Sequence, residues 1–188
     1  MLCAEAYIDM ARILRINPTM IGLGNRLGMT FGSHGRGGPN APAAHYQGGQ
    51  VQAIALTRKA GAGCLAHEWM HALDDYLSDD DDLMSVGTHN PAMAALTEAI
   101  YASKLPERSK KADQAKTKPY FNTLPEMIAR VFEYHIHFEL EALNQVNDYL
   151  VSIHPDSIVY PTISEAEIFA PLVKSLVASA EIKLNEST

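Results

Sequence analysis

Apolar residues recur at helical spacing in five stretches of this chain, and in one stretch they alternate instead. Ala4, Tyr7, Ile8, Ala11, Ile13 and Leu14 predict an amphipathic helix over 3–16, closed by Asn17-Pro18. Leu65, Trp69, Leu73, Tyr76 and Leu77 form one side of a helix over 63–77, entered through Gly61-Ala62-Gly63. Residues 91–103 form a third helix, and 124–147 a long fourth one. The last spans 164–182, where Ser164 and Glu167 have capping-box spacing and Pro171 predicts a kink or a restart. Gln50 to Thr57 alternate and read as a strand. The glycine-rich stretch 22–49 predicts turns around one or two short strands, and 104–120 reads as a loop. The expectation is a single α+β domain over 1–188, mostly helical, with a small sheet beside the helix at 63–77.

That helix carries the chemistry. Opposite its apolar side lie His67, His71 and Asp74, flanked by Glu68 and Asp75. His67-Glu68-Trp69-Met70-His71 reads H-E-x-x-H. Residues four apart on a helix sit one turn apart on the same face, so two imidazoles can meet one metal ion. Glu68 beside them can reach a water on that ion rather than the ion. The alternative is a solvated polar face bearing two histidines; the clear amphipathicity of the helix argues against it.

Catalytic zinc usually takes three protein ligands and leaves one position for water. The extended pattern with a glycine and a third histidine is excluded, because Asp74 and Leu77 stand at those places. A carboxylate from the helix at 124–147 is the remaining common solution. Glu126, Arg130, Glu133 and His137 line one face of it. Glu126 is the first candidate and Glu133 the second. Thr123 to Glu126 also fits a capping box, and Arg130 is placed for an i,i+4 pair with Glu126. Asp74 lines up with His67 and His71 and is read as accepting an imidazole N–H; it and Glu133 stand behind Glu126 as supporting residues or alternative ligands. His45, Tyr46, Arg130 and Tyr134 are candidates to contact the substrate or the developing oxyanion. Residues 44–57 are placed to offer an extended peptide an edge strand, or form a plain core strand.

Charge and composition narrow the class. The net charge of −7 gives no general grip on nucleic acid. Lys104, Arg108, Lys110, Lys111, Lys116 and Lys118 form a local basic cluster, read as a solvated loop. Asp79 to Asp82 form an acidic run without the spaced ligands and glycine turn of a calcium loop. The glycines fit no phosphate-binding pattern. Cys3 and Cys64 make no framework and read as reduced thiols of a cytoplasmic protein. No apolar run is long enough to span a bilayer. The helical pattern begins almost at once, which suits a domain cut from a longer polypeptide.

Phe31-Gly32-Ser33-His34-Gly35-Arg36-Gly37-Gly38, His45-Tyr46, Ile54-Ala55-Leu56-Thr57 and Gly61 through Asp74 together resemble the first type of large polyvalent protein-associated domain. Pro125 to Glu133 resembles that family's E-x-x-A-R-x-F-E helix, and Asn147 to Val151 with Tyr160-Pro161 resembles its tail. His34 departs from the pattern, standing where alanine is expected. Such domains occur in giant multidomain proteins of phages and conjugative elements. The resemblance implies a zincin-like metallopeptidase fold, a larger multidomain setting, and action in the cytoplasm, including that of a host or recipient cell. Two functions follow. One is a zinc (Zn2+) metalloendopeptidase with His67, His71 and Glu126 as ligands and Glu68 as general base, acting on the parent polyprotein or on a host protein. The other is a binding module with a structural or vestigial metal, to which Cys3 and Cys64 would contribute.

Overall fold

The computed structural model describes residues 2–32, 42–57, 60–78, 85, 90–154 and 156–186. Helix α1 (Leu2–Leu14) leads through a 3-10 turn (Pro18–Gly22) to strands β1 (Leu27–Phe31), β2 (Ala44–Gln47) and β3 (Gln52–Leu56). Then come α2 (Leu65–Leu77), α3 (Pro91–Ala102), α4 (Leu105–Ala112), α5 (Leu124–Ala142) and α6 (Ile163–Glu186). The fold is mostly helical, with the expected small sheet beside the motif helix. Strand order is β1-β3-β2; β1 runs parallel to β3 and β2 antiparallel to it. β3 is buried along Ala53 to Leu56 because it lies in the middle, whereas β2 is an edge. His34 and the run Asp79 to Asp82 lie outside the described residues.

The core is built where α2 crosses α5. Trp69 stacks on Phe132 with ring centroids 5.4 Å apart, and its Nε1–H donates to the Ile21 carbonyl at 3.0 Å. One fully buried tryptophan thus ties both helices to the 3-10 turn, and its only polar atom is satisfied. Leu65, Leu73, Ile128 and Ile136 fill the remaining space. Among the described residues, no helix is long and apolar enough to cross a membrane.

Three boundaries differ from the sequence reading. Residues 105–112 are a helix, not a loop. Pro106 and Glu107 suit its first turn, and only Leu105 and Ser109 turn inward, so no apolar stripe advertises it. α5 stops at Ala142 rather than 147. Asn144 adopts φ 51°, its N–H bonds the Glu141 carbonyl, and the Gln145 N–H bonds the Leu140 carbonyl, a Schellman ending. α6 starts from a capping box made by Thr162 and Glu165, not by Ser164 and Glu167. Thr162 Oγ1 accepts the Glu165 N–H at 3.3 Å, and Glu165 Oε2 accepts the Thr162 N–H at 2.8 Å. It runs on through Pro171, whose neighbours Phe169 and Val173 are buried and hold it in place.

Candidate metal centre

α2 is set in place at its N-terminus by the turn at 147–151. The Gly63 N–H donates to the Tyr149 carbonyl at 3.0 Å and the Ala66 N–H to the Leu150 carbonyl at 3.1 Å. The second bond satisfies one of the donors that a helix start leaves without an internal partner. Gly63 has φ +83°, and a Cβ there would stand 2.3 Å from Ser152 Cβ, so only glycine fits.

From this start the two imidazoles face α5. His67 Nε2 and His71 Nε2 are 3.2 Å apart. Glu126 Oε2 lies 3.5 Å from the first and Oε1 3.5 Å from the second. The side chains are 12%, 16% and 15% exposed, so the cluster lies just under the surface and keeps an opening. Ligand atoms bound about 2.0–2.1 Å from a tetrahedral zinc stand about 3.3 Å from one another. The two imidazole nitrogens, and each of them with one of the two Glu126 oxygens, stand at about that separation, and two nitrogens with a carboxylate are a donor set that suits zinc. The cluster is therefore able to coordinate a metal ion. Among the described residues, these are the ligand atoms that converge; Cys3 and Cys64 are not among them. Cys3 Sγ sits 2.9 Å from Met29 Sδ, and Cys64 precedes α2.

The charges explain how the cluster holds together. Burial works against a charged His67, but Glu126 and Glu133 outweigh it and push the imidazole up to about 9. Burial would also lift Glu126, yet the His67 and His71 hydrogen bonds, with Arg130 behind, hold it well below the usual carboxylate range. Glu68 goes the other way. Burial raises it, and the nearby imidazoles and the Tyr46 backbone N–H only partly offset this.

The other sequence candidates fall into two groups. Glu133 reaches the centre: its Oε2 is 3.3 Å from His67 Nδ1, the nitrogen facing away from the cluster. Arg130 also reaches it, but through Glu126, donating to Oε2 at 2.7 Å and to the Glu126 carbonyl at 3.2 Å. Its guanidinium is buried and packs against the rings of Phe121 and Tyr120, 4.8 and 5.3 Å from their centroids. Tyr46 reaches Glu68 with its backbone, while its phenol donates to Asp75, which also accepts from Gln52 Nε2 at 3.0 Å. This pair pins the edge strand to the motif helix. Asp74 does something else. Its two oxygens accept the Ser85 N–H at 2.7 Å and the Ser85 hydroxyl at 2.6 Å, while His71 lies near enough to act on its charge. His45 lies on β2 opposite Ala55, and Tyr134 packs beside His137 and Tyr160.

The capping box that Thr123 to Glu126 also fits does not form. Thr123 makes no side-chain cap, and its hydroxyl donates to the Tyr120 carbonyl at 2.9 Å. Glu126 is thereby left free for the histidines. Two tyrosines were missed. Tyr160 donates to Glu133 Oε2 at 2.8 Å, and the Tyr120 phenol lies against Glu126. Both come from irregular segments whose path no periodicity reveals.

A family model described as Large polyvalent protein-associated domain 1 matches residues 112–183, fewer than half of the 188. That stretch contains Glu126, Arg130, Glu133 and Tyr160 but stops short of α2. No curated protein and no solved structure matches the chain. The match and the helix-borne cluster of His67, His71 and Glu126 together indicate a zincin-like metal-binding fold.

Proposed function

We propose that the chain is a zinc-dependent metallopeptidase in which His67, His71 and Glu126 hold the ion and Glu68 is the general base. One observation carries this reading: three ligand atoms converge from two helices, and a fourth buried polar side chain, Glu68, stands beside them. A purely structural site has no use for a carboxylate in that place. Zinc bound there supplies Lewis acidity at the scissile carbonyl and lowers the pKa of water toward about 7. Glu68 takes the proton of the attacking water and returns it to the leaving amine. Its raised pKa brings it closer to the working pH, so that it both accepts and gives up the proton readily. β2, an edge strand of the sheet, runs past Glu68 and offers an extended peptide a backbone to pair with. The substrate is a peptide segment of a protein, either of the parent polypeptide or of a host.

The test separates metal from chemistry. Glu68→Gln is expected to retain about one zinc per chain, as a three-ligand site requires. It is expected to lose peptide hydrolysis by about 10²-fold or more, the usual worth of a general base. The assay is zinc content beside cleavage of an unfolded protein substrate and of the longer parent polypeptide. Unchanged cleavage by Glu68→Gln removes Glu68 from the mechanism. Bound zinc with no cleavage by either protein points to a binding module.

A further inference from the structure

Glu133 Oε2 has two neighbours. The Tyr160 hydroxyl donates to it at 2.8 Å, and His67 Nδ1 lies 3.3 Å away. An ionised carboxylate only accepts hydrogen bonds, so the imidazole nitrogen facing it must carry the proton. With the proton held on Nδ1, Nε2, which points at His71 and Glu126, is the nitrogen left to give its lone pair to an ion. The tautomer that can bind a metal is thus selected from behind.

Tyr160 is not free to drift from this position. Arg108 on α4 donates through Nη2 to the Tyr160 carbonyl at 3.1 Å and through Nε to the Ile158 carbonyl at 3.0 Å. The same guanidinium forks onto Glu165 of α6, at 3.1 and 2.6 Å. Glu165 in turn accepts the Thr162 N–H, which closes the segment at its far end. One arginine–carboxylate fork therefore clamps the irregular stretch 158–162 between two helices. The phenol it presents is partly buried and reaches a carboxylate that is only 3% exposed.

We propose that Tyr160 is a positioning residue of the metal centre: through Glu133 it orients His67 with its proton on Nδ1, and so sets the affinity of the site for its ion. This rests on the metal-centre reading of His67, His71 and Glu126, not on peptidase activity. Without the phenol, Glu133 keeps one donor fewer and can rotate away from Nδ1. His67 then samples the other tautomer and ring orientations that do not meet the ion.

The experiment is zinc affinity, by competition with a chromophoric chelator, in the whole chain and in Tyr160→Phe and Glu133→Gln. Partners of this kind change metal affinity by about 10–100-fold. Tyr160→Phe is expected to weaken zinc about tenfold, and to shift the visible absorption of the cobalt-substituted protein. Glu133→Gln is expected to weaken it at least as much, and the double variant no more than the stronger single one, because both act through one contact. Tyr101→Phe, an exposed tyrosine on α3, serves as the control and is expected to match the wild type. Lowered thermal stability of Tyr160→Phe with unaltered zinc affinity and cobalt spectrum would show a merely structural phenol and overturn the proposal. Additive effects of the two substitutions overturn the relay. If Tyr160→Phe does not fold, Glu133→Gln decides alone, and wild-type affinity in that variant refutes the proposal. Failure of the wild type to bind zinc removes the metal centre itself, and the relay with it.

Discussion

Two histidines of this chain sit in opposite surroundings, and the difference predicts opposite responses to pH. His67 is ringed by carboxylates. His135, on α5, is 4% exposed and neither ring nitrogen has a hydrogen-bond partner. Burial pulls its pKa down to about 4, with Glu139 opposing and Lys174 assisting. The unfolded chain takes up this proton near the ordinary value of about 6.5. Between those two values the unfolded state holds more protons than the folded one, so stability falls as pH falls through that window. Replacing His135 by leucine is expected to stabilise the protein at pH 5 by roughly 2 kcal/mol more than at pH 8, from the difference of about 1.5 pH units at about 1.4 kcal/mol each. Urea unfolding of both proteins at the two pH values measures this. Equal differences at both would mean that His135 finds a partner when folded. The same scale shows how far single residues could be read from sequence. His67, Glu68 and His71 follow from spacing alone, whereas Glu126 and Glu133 share one helix face, and only distances distinguish the inner neighbour from the outer one. Asp74 lies in line with the histidines on paper, but residue 85 returns to occupy both its oxygens.

At the scale of elements, periodicity found the helices that bury a stripe and missed the one that does not. α2 and α5 each present a continuous apolar side, so both were legible. α4 is almost wholly polar and was not. The ends of helices were fixed by chemistry of another kind: Asn144 in a left-handed turn, Thr162 reaching Glu165, and the turn at 147–151 closing over the start of α2. The last of these bears on function, because the register of α2 against α5 sets where His67 and His71 stand. Gly63→Ala tests it. The substitution forces a Cβ into Ser152 and imposes a left-handed backbone on alanine. The backbone alone costs about 1–2 kcal/mol, and the clash adds to it. A loss of about 2–4 kcal/mol is expected, within the upper range of single substitutions, together with weakened zinc binding as the helix start moves. Thermal unfolding and zinc titration report the two effects separately. A variant with wild-type values for both would show that the 147–151 turn yields to the methyl group and does not set the helix register.

For the whole molecule, the question is whether the ion builds the fold or is received by it. In small zinc domains the ligands are brought together only by the metal, and chelation unfolds them. Here the two helices that carry the ligands are already joined by Trp69 on Phe132 and by buried leucines and isoleucines, and Arg130 on α5 already holds Glu126 of the same helix. None of these contacts needs a metal. The ion therefore adds to a fold that stands without it, by the linkage that rewards any ligand of the native state. At a free concentration about 100 to 1,000 times its dissociation constant, that contribution is about 3–4 kcal/mol. For a domain of this size each kcal/mol raises the melting temperature by about 2–4 °C. Stripping zinc with a chelator is accordingly expected to lower the Tm by about 6–16 °C. The helical circular dichroism at 25 °C should stay unchanged. Adding zinc back should restore the higher Tm in the wild type and in Glu68→Gln, which keeps all three ligands, but only in part in Glu126→Gln. Loss of the helical signal on chelation would mean that the cluster organises α2 and α5 rather than resting on them, and would make the site a structural one.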